Sequence, residues 1–344
     1  MRQPSGGIVR AGALVLALGA IACSSSEPGH SAAPVSASAM AWRDTSAHRI
    51  SMIAVAPDVR LEVLDWGGTG LPLVFLSGLQ DVAHGFDDFA PQFTDHDHVL
   101  AITRRGYGAS SQPPTGYDVT TRVADLHAVL DSLHLARVVL IGHSIAGDEL
   151  TAFAGRYPDR VAGLVYLDAA YDHSTVADLL KNSPPPPVPM LPADSASPAA
   201  VQAWTLRAWG MRIPETQLRA IGRYDSTGKL VANVTPDSID AAMLAGAGHP
   251  DYSKVRAPVL AIYAIIDSMP SVFPAWQQFD STSLASARRF TRILQDFGVK
   301  GRAAFRKALP SATVLELHGA NHYVFYSNEP EVREAIGAFV SHLR

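Results

Sequence analysis

The sequence has little cysteine and few charged residues. Its 344 residues include one cysteine, so no intramolecular disulfide can stabilise the fold. Charged residues make up 17% of the chain and the formal net charge is -4, without the clustered basic surface that nucleic-acid binding requires. Hydrophobic residues make up 47%, which is typical of a packed globular enzyme. We therefore expect stability from a hydrophobic core, and a small molecule as partner instead of a nucleic acid.

Residues 1–43 have the composition of an export signal followed by a tether. Arg2 and Arg10 precede an unbroken run of small and apolar residues over 11–22. That run is too short to cross a bilayer comfortably, since a spanning helix needs about 20 apolar residues. We predict a secretory signal peptide over 1–22 and a flexible tether over 23–43, in an exported protein.

The three residues before Cys23, Ala20-Ile21-Ala22, resemble the lipobox of bacterial lipoproteins. The resemblance implies cleavage before Cys23 and acylation of its thiol. The protein would then touch the membrane only through this lipid anchor, on the periplasmic or cell-surface side. Ala20 stands where leucine is usual, so ordinary signal cleavage and a secreted or periplasmic protein is the alternative.

Short apolar runs alternate with helical patterns through the rest of the chain. Continuous apolar strands separated by helices indicate a mostly parallel sheet that is covered on both faces. The helical patterns include 119–133, 145–157 and 331–343, with further helix expected around 284–297 and 302–309. The predicted strands are 60–65, 73–76, 99–102, 138–141, 164–167, 259–263 and 313–317.

Residues 171–256 interrupt this alternation and are too long for a simple crossover. They contain a proline run over 184–189 that can be neither helix nor central strand. We predict an inserted helical cap here, between the core parts 44–170 and 257–344. The aromatic residues of the cap and of the segment after it suggest an apolar or aromatic substrate, or else they form the core of the cap itself; they are Trp204, Trp209, Phe273 and Trp276.

The residues from 138 to 147 are typical of a strand, a sharp turn and a helix around Ser144. Such a turn pushes the central side chain out over the sheet edge, and it needs small neighbours because the backbone folds back on itself. Gly142 and Ala146 are those neighbours, and Gly147 adds room. The alternative is a plain turn with a capping serine.

From this point the chain resembles the α/β-hydrolase superfamily over residues 60–344. Residues 105–110, Arg-Gly-Tyr-Gly-Ala-Ser, and residues 157–161, Tyr-Pro-Asp-Arg-Val, also resemble segments of that family. The resemblance implies a central sheet of about eight strands and a nucleophile, acid and histidine in that order along the chain.

Two acids and one histidine match the remaining positions of the family. Asp267 follows the strand 259–263 at the usual place of the acid, although Ala264 replaces the usual glycine. Asp168, at the end of the preceding strand, is the alternative acid, and some family members use that position. His322 follows the last strand at the place of the base, whereas His318 still belongs to the strand end.

The oxyanion hole of the family is made of two backbone N–H groups. One is expected from Ile145, which follows the nucleophile at the positive end of its helix. The other is expected from Leu79, in the loop after the strand 73–76. Ser77 replaces the usual histidine in that loop, which affects its supporting hydrogen bonds but not the main-chain donor.

Acids and histidines elsewhere have simpler interpretations. Asp148 and Glu149 lie in the first turn of the helix after Ser144, where acids favour the helix dipole. Glu149 could instead point inward and support the active site. His96 and His98 flank Asp97, but an isolated His-x-His is a poor metal signal. We expect no metal and no cofactor.

The resemblance implies a carboxylesterase-type enzyme that works through an acyl-enzyme intermediate. Ser144 would attack the acyl carbon, His322 would take its proton and Asp267 would orient His322. Carbon–carbon bond hydrolysis, lactone hydrolysis and acyl transfer would use the same residues and stay open. An inactive, tethered binding protein on a hydrolase scaffold is the alternative of another class. A serine here argues against haloalkane dehalogenase or epoxide hydrolase chemistry, because those relatives use an aspartate.

Overall fold

The computed structural model describes residues 44–344, so the predicted signal peptide, the tether and Cys23 lie outside the described residues. The strands are β1 (Arg49–Ala56), β2 (Val59–Gly67), β3 (Leu71–Leu76), β4 (Asp97–Thr103), β5 (Val138–His143), β6 (Val161–Leu167), β7 (Gly222–Tyr224), β8 (Leu230–Asn233), β9 (Val259–Ile265) and β10 (Thr313–His318). The helices are α1 (Val119–Ser132), α2 (Ala146–Arg156), α3 (Val176–Leu180), α4 (Pro198–Trp209), α5 (Glu215–Ile221), α6 (Asp237–Ala245), α7 (Met269–Val272), α8 (Ser281–Ala308), α9 (Val324–Ser327) and α10 (Glu329–Ser341).

Eight of these strands form one sheet, in the order β1-β2-β4-β3-β5-β6-β9-β10. The pairs β1–β2 and β2–β4 are antiparallel, and all the other pairs of this sheet are parallel. The predicted fold, a mostly parallel sheet of about eight strands, is confirmed. The edge strand β1 and the small hairpin β7–β8 are additional to the strands predicted from apolar runs.

Side chains of successive strand residues enter two separate hydrophobic cores, one on each face of the sheet. In β3, Leu73 and Phe75 join the core that includes α8 and α10, whereas Val74 and Leu76 join the core that includes α1 and α2. All four side chains are at most 2% exposed. A strand that is buried on both faces needs apolar residues throughout, which explains why the central strands are continuous apolar runs.

The order of the strands places a crevice beside the candidate nucleophile. From β3 the chain continues to β4 on one side, and it then returns to β5 on the other side of β3. In open α/β sheets, ligands bind at the carboxyl ends of strands where the order reverses in this way. The loops that follow β3 and β5 carry Leu79 and Ser144, so both lie at this crevice.

Residues 171–256, between β6 and β9, hold four helices and the hairpin β7–β8. Residues 184–189, the proline run, form neither helix nor strand. Beyond β9, the helical patterns at 284–297 and 302–309 belong to one helix, α8, of 28 residues. Within residues 44–344, no helix is both long enough and apolar enough to cross a membrane.

Small residues let α2 begin directly behind the turn at Ser144. A Cβ atom on Gly147 would lie 1.9 Å from the carbonyl oxygen of Ala169, which follows the neighbouring strand β6. That contact is with backbone, so it can be relieved only by moving α2 or the end of β6. A Cβ on Gly142 would lie 2.7 Å from the side chain of Leu150 in α2.

We predict that Gly147→Ala lowers the free energy of unfolding by about 1–3 kcal/mol, because the added methyl overpacks a rigid backbone contact. Urea unfolding followed by circular dichroism measures the change. Gly337→Ala is the matched control, since Gly337 lies exposed in α10 with no atom within 4 Å of its added Cβ. That variant should gain about 0.5–1 kcal/mol from helix propensity. Equal effects at both positions would contradict this account of the turn.

Candidate active site

Ser144 occupies a strained position between β5 and α2. Its φ is 55°, a left-handed value that is uncommon for a residue other than glycine. Its N–H donates to the carbonyl oxygen of Leu167 at 3.2 Å, and its own carbonyl accepts from the N–H of Gly147 at 2.9 Å. These bonds fix the turn on both sides. They agree with the predicted strand–turn–helix arrangement and leave the serine side chain at the carboxyl edge of the sheet.

His322 pairs with Asp168, at the end of β6. The two atoms His322 Nδ1 and Asp168 Oδ2 are 2.6 Å apart. The other carboxylate oxygen of Asp168 accepts from the hydroxyl of Tyr171 at 2.7 Å and from the backbone N–H of Ala264 at 3.1 Å. A carboxylate placed in this way accepts a hydrogen bond from Nδ1–H of the imidazole and leaves Nε2 free for another partner.

The prediction that Asp267 would orient His322 is wrong. Asp267 Oδ1 instead lies 2.8 Å from Nδ1 of His318, and the two side chains are 46% and 68% exposed. Asp267 follows the end of β9 by two residues, and the carbonyl oxygen of Ile266 just before it accepts from the side chain of Gln295 at 3.0 Å. Asp168, in contrast, directly follows β6 and is 6% exposed.

Two features of the local structure turn Asp168 toward His322. Its φ is 47°, so the chain bends sharply as it leaves β6. Tyr171, whose hydroxyl donates to the Asp168 carboxylate, packs closely against Gly301 of α8. A Cβ atom added to Gly301 would lie only 2.5 Å from the tyrosine ring. The sequence offered one sign of this arrangement, because Ala264 stands where the family has a glycine before its usual acid.

The two predicted oxyanion donors face the same cavity as Ser144. The cavity has a volume of about 320 Å³, and its lining includes Leu79, Ser144, Ile145, Asp168 and His322. The backbone N–H groups of Leu79 and Ile145 donate to no other group among residues 44–344. Unpaired N–H groups beside a serine can accept the negative charge that develops on an attacked carbonyl oxygen.

The loop that carries Leu79 is held from below by the buried side chain of Arg104. Its guanidinium donates to the carbonyl oxygens of Gly78 at 2.7 Å and Ser77 at 2.6 Å. The Ser77 hydroxyl donates to the carbonyl oxygen of Asp81 at 3.0 Å. The serine that replaces the usual histidine therefore supplies a supporting hydrogen bond of its own.

Glu149 and Asp148 point inward. Glu149 Oε1 accepts from Arg104 Nε at 3.1 Å and from a guanidinium nitrogen of Arg122 at 2.7 Å. Asp148 Oδ1 lies 2.7 Å from Nδ1 of His173, which lines the cavity. All five side chains are at most 5% exposed. Of the two interpretations of Glu149, the structure favours the inward one, in which it supports the site.

Side chains from residues 171–256 hold the Leu79 loop from above. Gln217 donates to Asp81 Oδ1 at 2.8 Å, and Gln80 donates to Asp240 Oδ2 at 2.6 Å. Burial raises the pKa of the Asp81 carboxyl to about 7, although Tyr323 and Gln217 hydrogen-bond it. Sequence reasoning missed these partners because they are more than 130 residues away from the loop along the chain.

The buried side chain of His143 packs against His322. Its Nε2 donates to the carbonyl oxygen of His322 at 3.1 Å, and the two ring centroids are 4.6 Å apart. Burial lowers the pKa of this imidazole well below its usual range, and the nearby His322 lowers it further. Burial therefore disfavours a charge on this ring, which supports the His322 backbone through its hydrogen bond.

Aliphatic side chains form most of the cavity wall. Residues 171–256 contribute Val176, Leu179, Leu180 and Leu244, and α8 contributes Leu294 and Val299. The four aromatic residues considered as substrate contacts do not line this cavity. Trp204, Trp209 and Phe273 are instead buried in the hydrophobic core. The second interpretation of those aromatic residues, as core, is the one that the structure supports.

Comparison with known proteins agrees with this architecture. A family model described as alpha/beta hydrolase fold matches residues 72–209. The crystal structure of an E-2-(acetamidomethylene)succinate hydrolase superposes with a TM-score of 0.63 at 19% identity, over 86% of this chain and 99% of that one. This protein has the α/β-hydrolase fold.

Two curated proteins are similar to part of this chain. A non-heme chloroperoxidase of Streptomyces lividans is 42% identical over 108 residues, which cover 30% of this chain and 39% of that protein. A 2-(acetamidomethylene)succinate hydrolase of Mesorhizobium japonicum is 28% identical over 101 residues, which cover 29% and 36%. Because the chain spans about two fifths of the length of these relatives, the similarity supports the fold and not one particular activity.

We predict that Asp168→Asn and Asp267→Asn have very different effects on the reactivity of Ser144. Asp168→Asn removes the acceptor that fixes the His322 tautomer, which should slow the reaction of Ser144 with a fluorophosphonate by about 10³–10⁴-fold. Asp267→Asn changes only an exposed pair with His318 and should stay within about twofold of wild type.

The measurement is the rate constant of inactivation at pH 7.5, with circular dichroism to confirm that both variants fold. A large loss in Asp267→Asn with little loss in Asp168→Asn would restore Asp267 as the acid and refute the assignment.

Proposed function

We propose that this protein is a serine hydrolase that cleaves a carboxylic ester through an acyl-enzyme intermediate. One observation supports the proposal most strongly. Ser144, His322 and the two unpaired N–H groups of Leu79 and Ile145 line one cavity, and the imidazole of His322 is bonded to Asp168 at 2.6 Å. A nucleophile, a base with its orienting carboxylate and an oxyanion hole are the parts that acyl transfer to water requires.

In the proposed reaction, Ser144 Oγ attacks the ester carbonyl carbon while His322 Nε2 takes the hydroxyl proton. The carbonyl oxygen becomes an oxyanion that the N–H groups of Leu79 and Ile145 stabilise. His322 then protonates the leaving alcohol as the carbon–oxygen bond breaks. Water attacks the acyl-enzyme with His322 again as base, and the acid product leaves. Asp168 accepts the hydrogen bond from His322 Nδ1 and stabilises the imidazolium at each step.

The cavity favours a small to medium acyl group with an apolar chain. A volume of about 320 Å³ is at the lower end of the range for small-molecule sites. Its walls are mainly aliphatic, with Arg302 and Gln295 among the polar groups on one side. We propose that residues 171–256 act as a cap, because they supply both part of this wall and the contacts of Gln217 and Asp240 with the Leu79 loop.

We predict that a fluorophosphonate adds one label to the folded protein and that the label disappears in Ser144→Ala. Intact-protein mass spectrometry counts the labels. Ser341→Ala, which removes an exposed hydroxyl at the end of α10, is the control and should label fully. If the folded wild-type protein is not labelled by the fluorophosphonate, the enzyme proposal is wrong and the inactive binding protein is favoured.

A panel of p-nitrophenyl esters from acetate to decanoate, with lactones and a carbon–carbon bond substrate, then separates the possible reactions. Ester turnover that Ser144→Ala abolishes supports the proposal. Turnover of a lactone or of the carbon–carbon bond substrate alone would replace the ester assignment while keeping the same three residues.

On the sequence alone, we also propose that the protein is exported and that Cys23 is acylated. Cys23→Ser should move the protein from the membrane fraction to the soluble fraction of the producing bacterium, because the variant cannot carry the acyl chains that are the proposed membrane anchor. Immunoblotting of the two fractions is the measurement. Unchanged membrane association of the variant would show that Cys23 does not carry the anchor.

A further inference from the structure

A group of histidine and aspartate side chains lies apart from the catalytic cavity, where the start of the described chain meets the core. We name it the N-terminal cluster, and it consists of Asp44, His48, His84 and Asp87. Each residue offers one nitrogen or oxygen atom, and these four atoms all lie within 4.8 Å of one another. None of the four residues lines the cavity that contains Ser144. The cluster therefore requires an explanation of its own.

Three side chains of the N-terminal cluster are buried, the fourth is partly exposed, and their polar atoms converge. His48 Nδ1 lies 2.8 Å from Asp87 Oδ1, and His84 Nδ1 lies 3.0 Å from Asp87 Oδ2. Asp44 Oδ2 lies 3.4 Å from the second ring nitrogen of His48 and 3.8 Å from His84 Nδ1. The side chains of His48, Asp87 and His84 are 2%, 3% and 8% exposed, and that of Asp44 is 24% exposed.

A fifth residue, Glu62, contacts the ring nitrogen of His84 that points away from the cluster, as the supporting carboxylate of a metal-binding histidine does. The far ring nitrogen of His84, Nε2, lies 3.6 Å from Oε1 of the buried Glu62. The other oxygen of Glu62 accepts from the hydroxyl of Thr103 at 2.7 Å. Histidines that bind metal through one ring nitrogen usually donate from the other to a carboxylate or carbonyl, which fixes the ring and its tautomer.

The charges of this region also favour a bound cation. Asp44, Asp87 and Glu62 bring three carboxylates together, against two imidazoles. Among residues 44–344, no lysine or arginine forms an ion pair with any of these three carboxylates. Even with a proton on both imidazoles, the three carboxylates exceed them by one negative charge, and a divalent ion would compensate that excess directly.

We propose that the N-terminal cluster is a divalent metal site, with Asp44, His48, His84 and Asp87 as ligands and Glu62 supporting His84. Two imidazole nitrogens and two carboxylate oxygens form a mixed donor set that suits Zn²⁺ better than Ca²⁺ or Mg²⁺, which prefer oxygen ligands alone. The metal joins the segment before β1 to the turn that begins at Ala83, four residues after Leu79. It stabilises the fold and takes no part in the proposed hydrolysis, so the site does not depend on that function.

The experiment treats the full-length protein with EDTA, removes the chelator and titrates the protein with ZnCl₂ in a calorimeter. We expect uptake of one zinc per chain and a rise in melting temperature that saturates at one equivalent. CaCl₂ and MgCl₂ at the same concentration should leave the melting temperature unchanged. Titration with Co²⁺ should give the visible absorption bands of a tetrahedral mixed nitrogen and oxygen site.

Two variants and two controls locate the site. His48→Asn should weaken zinc binding by at least about 100-fold, and Glu62→Gln should weaken it by about 10–100-fold through His84 alone. His98→Asn and Cys23→Ser should bind zinc as wild type does, since His98 pairs with Asp65 at 3.0 Å and Cys23 is not one of the four proposed ligands.

Two results would overturn the proposal: no stoichiometric zinc uptake by the wild-type protein, or uptake that His48→Asn leaves unchanged. The Co²⁺ spectrum of the wild type decides the question if a variant fails to fold. Without metal binding, the cluster is a set of imidazolium–carboxylate pairs.

Discussion

The side chain of Arg104 lies between the two backbone segments that frame Ser144, and it bonds to both. It donates to the carbonyl oxygens of Ser77 and Gly78 in the loop after β3, and to Glu149 in the helix after β5. A guanidinium that is 5% exposed is costly to bury unless its donors are satisfied, and these three bonds offset that cost. This constraint fixes the distance between the loop that offers the Leu79 N–H and the turn that offers Ser144.

Two other requirements follow from that arrangement. Glu149, in the first turn of α2, faces inward because it accepts hydrogen bonds from Arg104 and Arg122. These bonds fix the rotation of α2 about its own axis from its first residues. The loop in turn needs partners on its outer side, and Gln217 and Asp240 supply them from the inserted segment. Residues 171–256 thereby contact the Leu79 loop as well as forming part of the cavity wall.

Much of this fold could be predicted because its signals are local. Apolar runs marked the central strands, and small residues around Ser144 marked the turn, since both depend on neighbours within a few positions. Strand β1 gave no such signal because it is an edge strand whose side chains are mostly exposed. The proline run limited what residues 171–256 could form, but it could not reveal the hairpin β7–β8.

The acid could not be predicted in the same way. Asp168 and Asp267 both follow strands that run in the same direction, and their distance along the chain does not tell which carboxylate reaches His322. The choice depends on a left-handed φ at Asp168, on the hydroxyl of Tyr171 and on the closeness of α8 at Gly301. The contact between Tyr171 and Gly301 joins residues that are far apart along the chain, so the local sequence does not reveal it. The partners of Glu149 and of the Leu79 loop are also far away along the chain.

The most direct measurement of the central claim is a crystal structure of the fluorophosphonate adduct. The account predicts a phosphorus–oxygen bond to Ser144 Oγ, with the phosphonyl oxygen within about 3 Å of the backbone nitrogens of Leu79 and Ile145. It also predicts that His322 Nδ1 still bonds Asp168, with Arg104 in place beneath the loop. An adduct whose phosphonyl oxygen points away from both nitrogens, or a His322 that turns to Asp267, would contradict it.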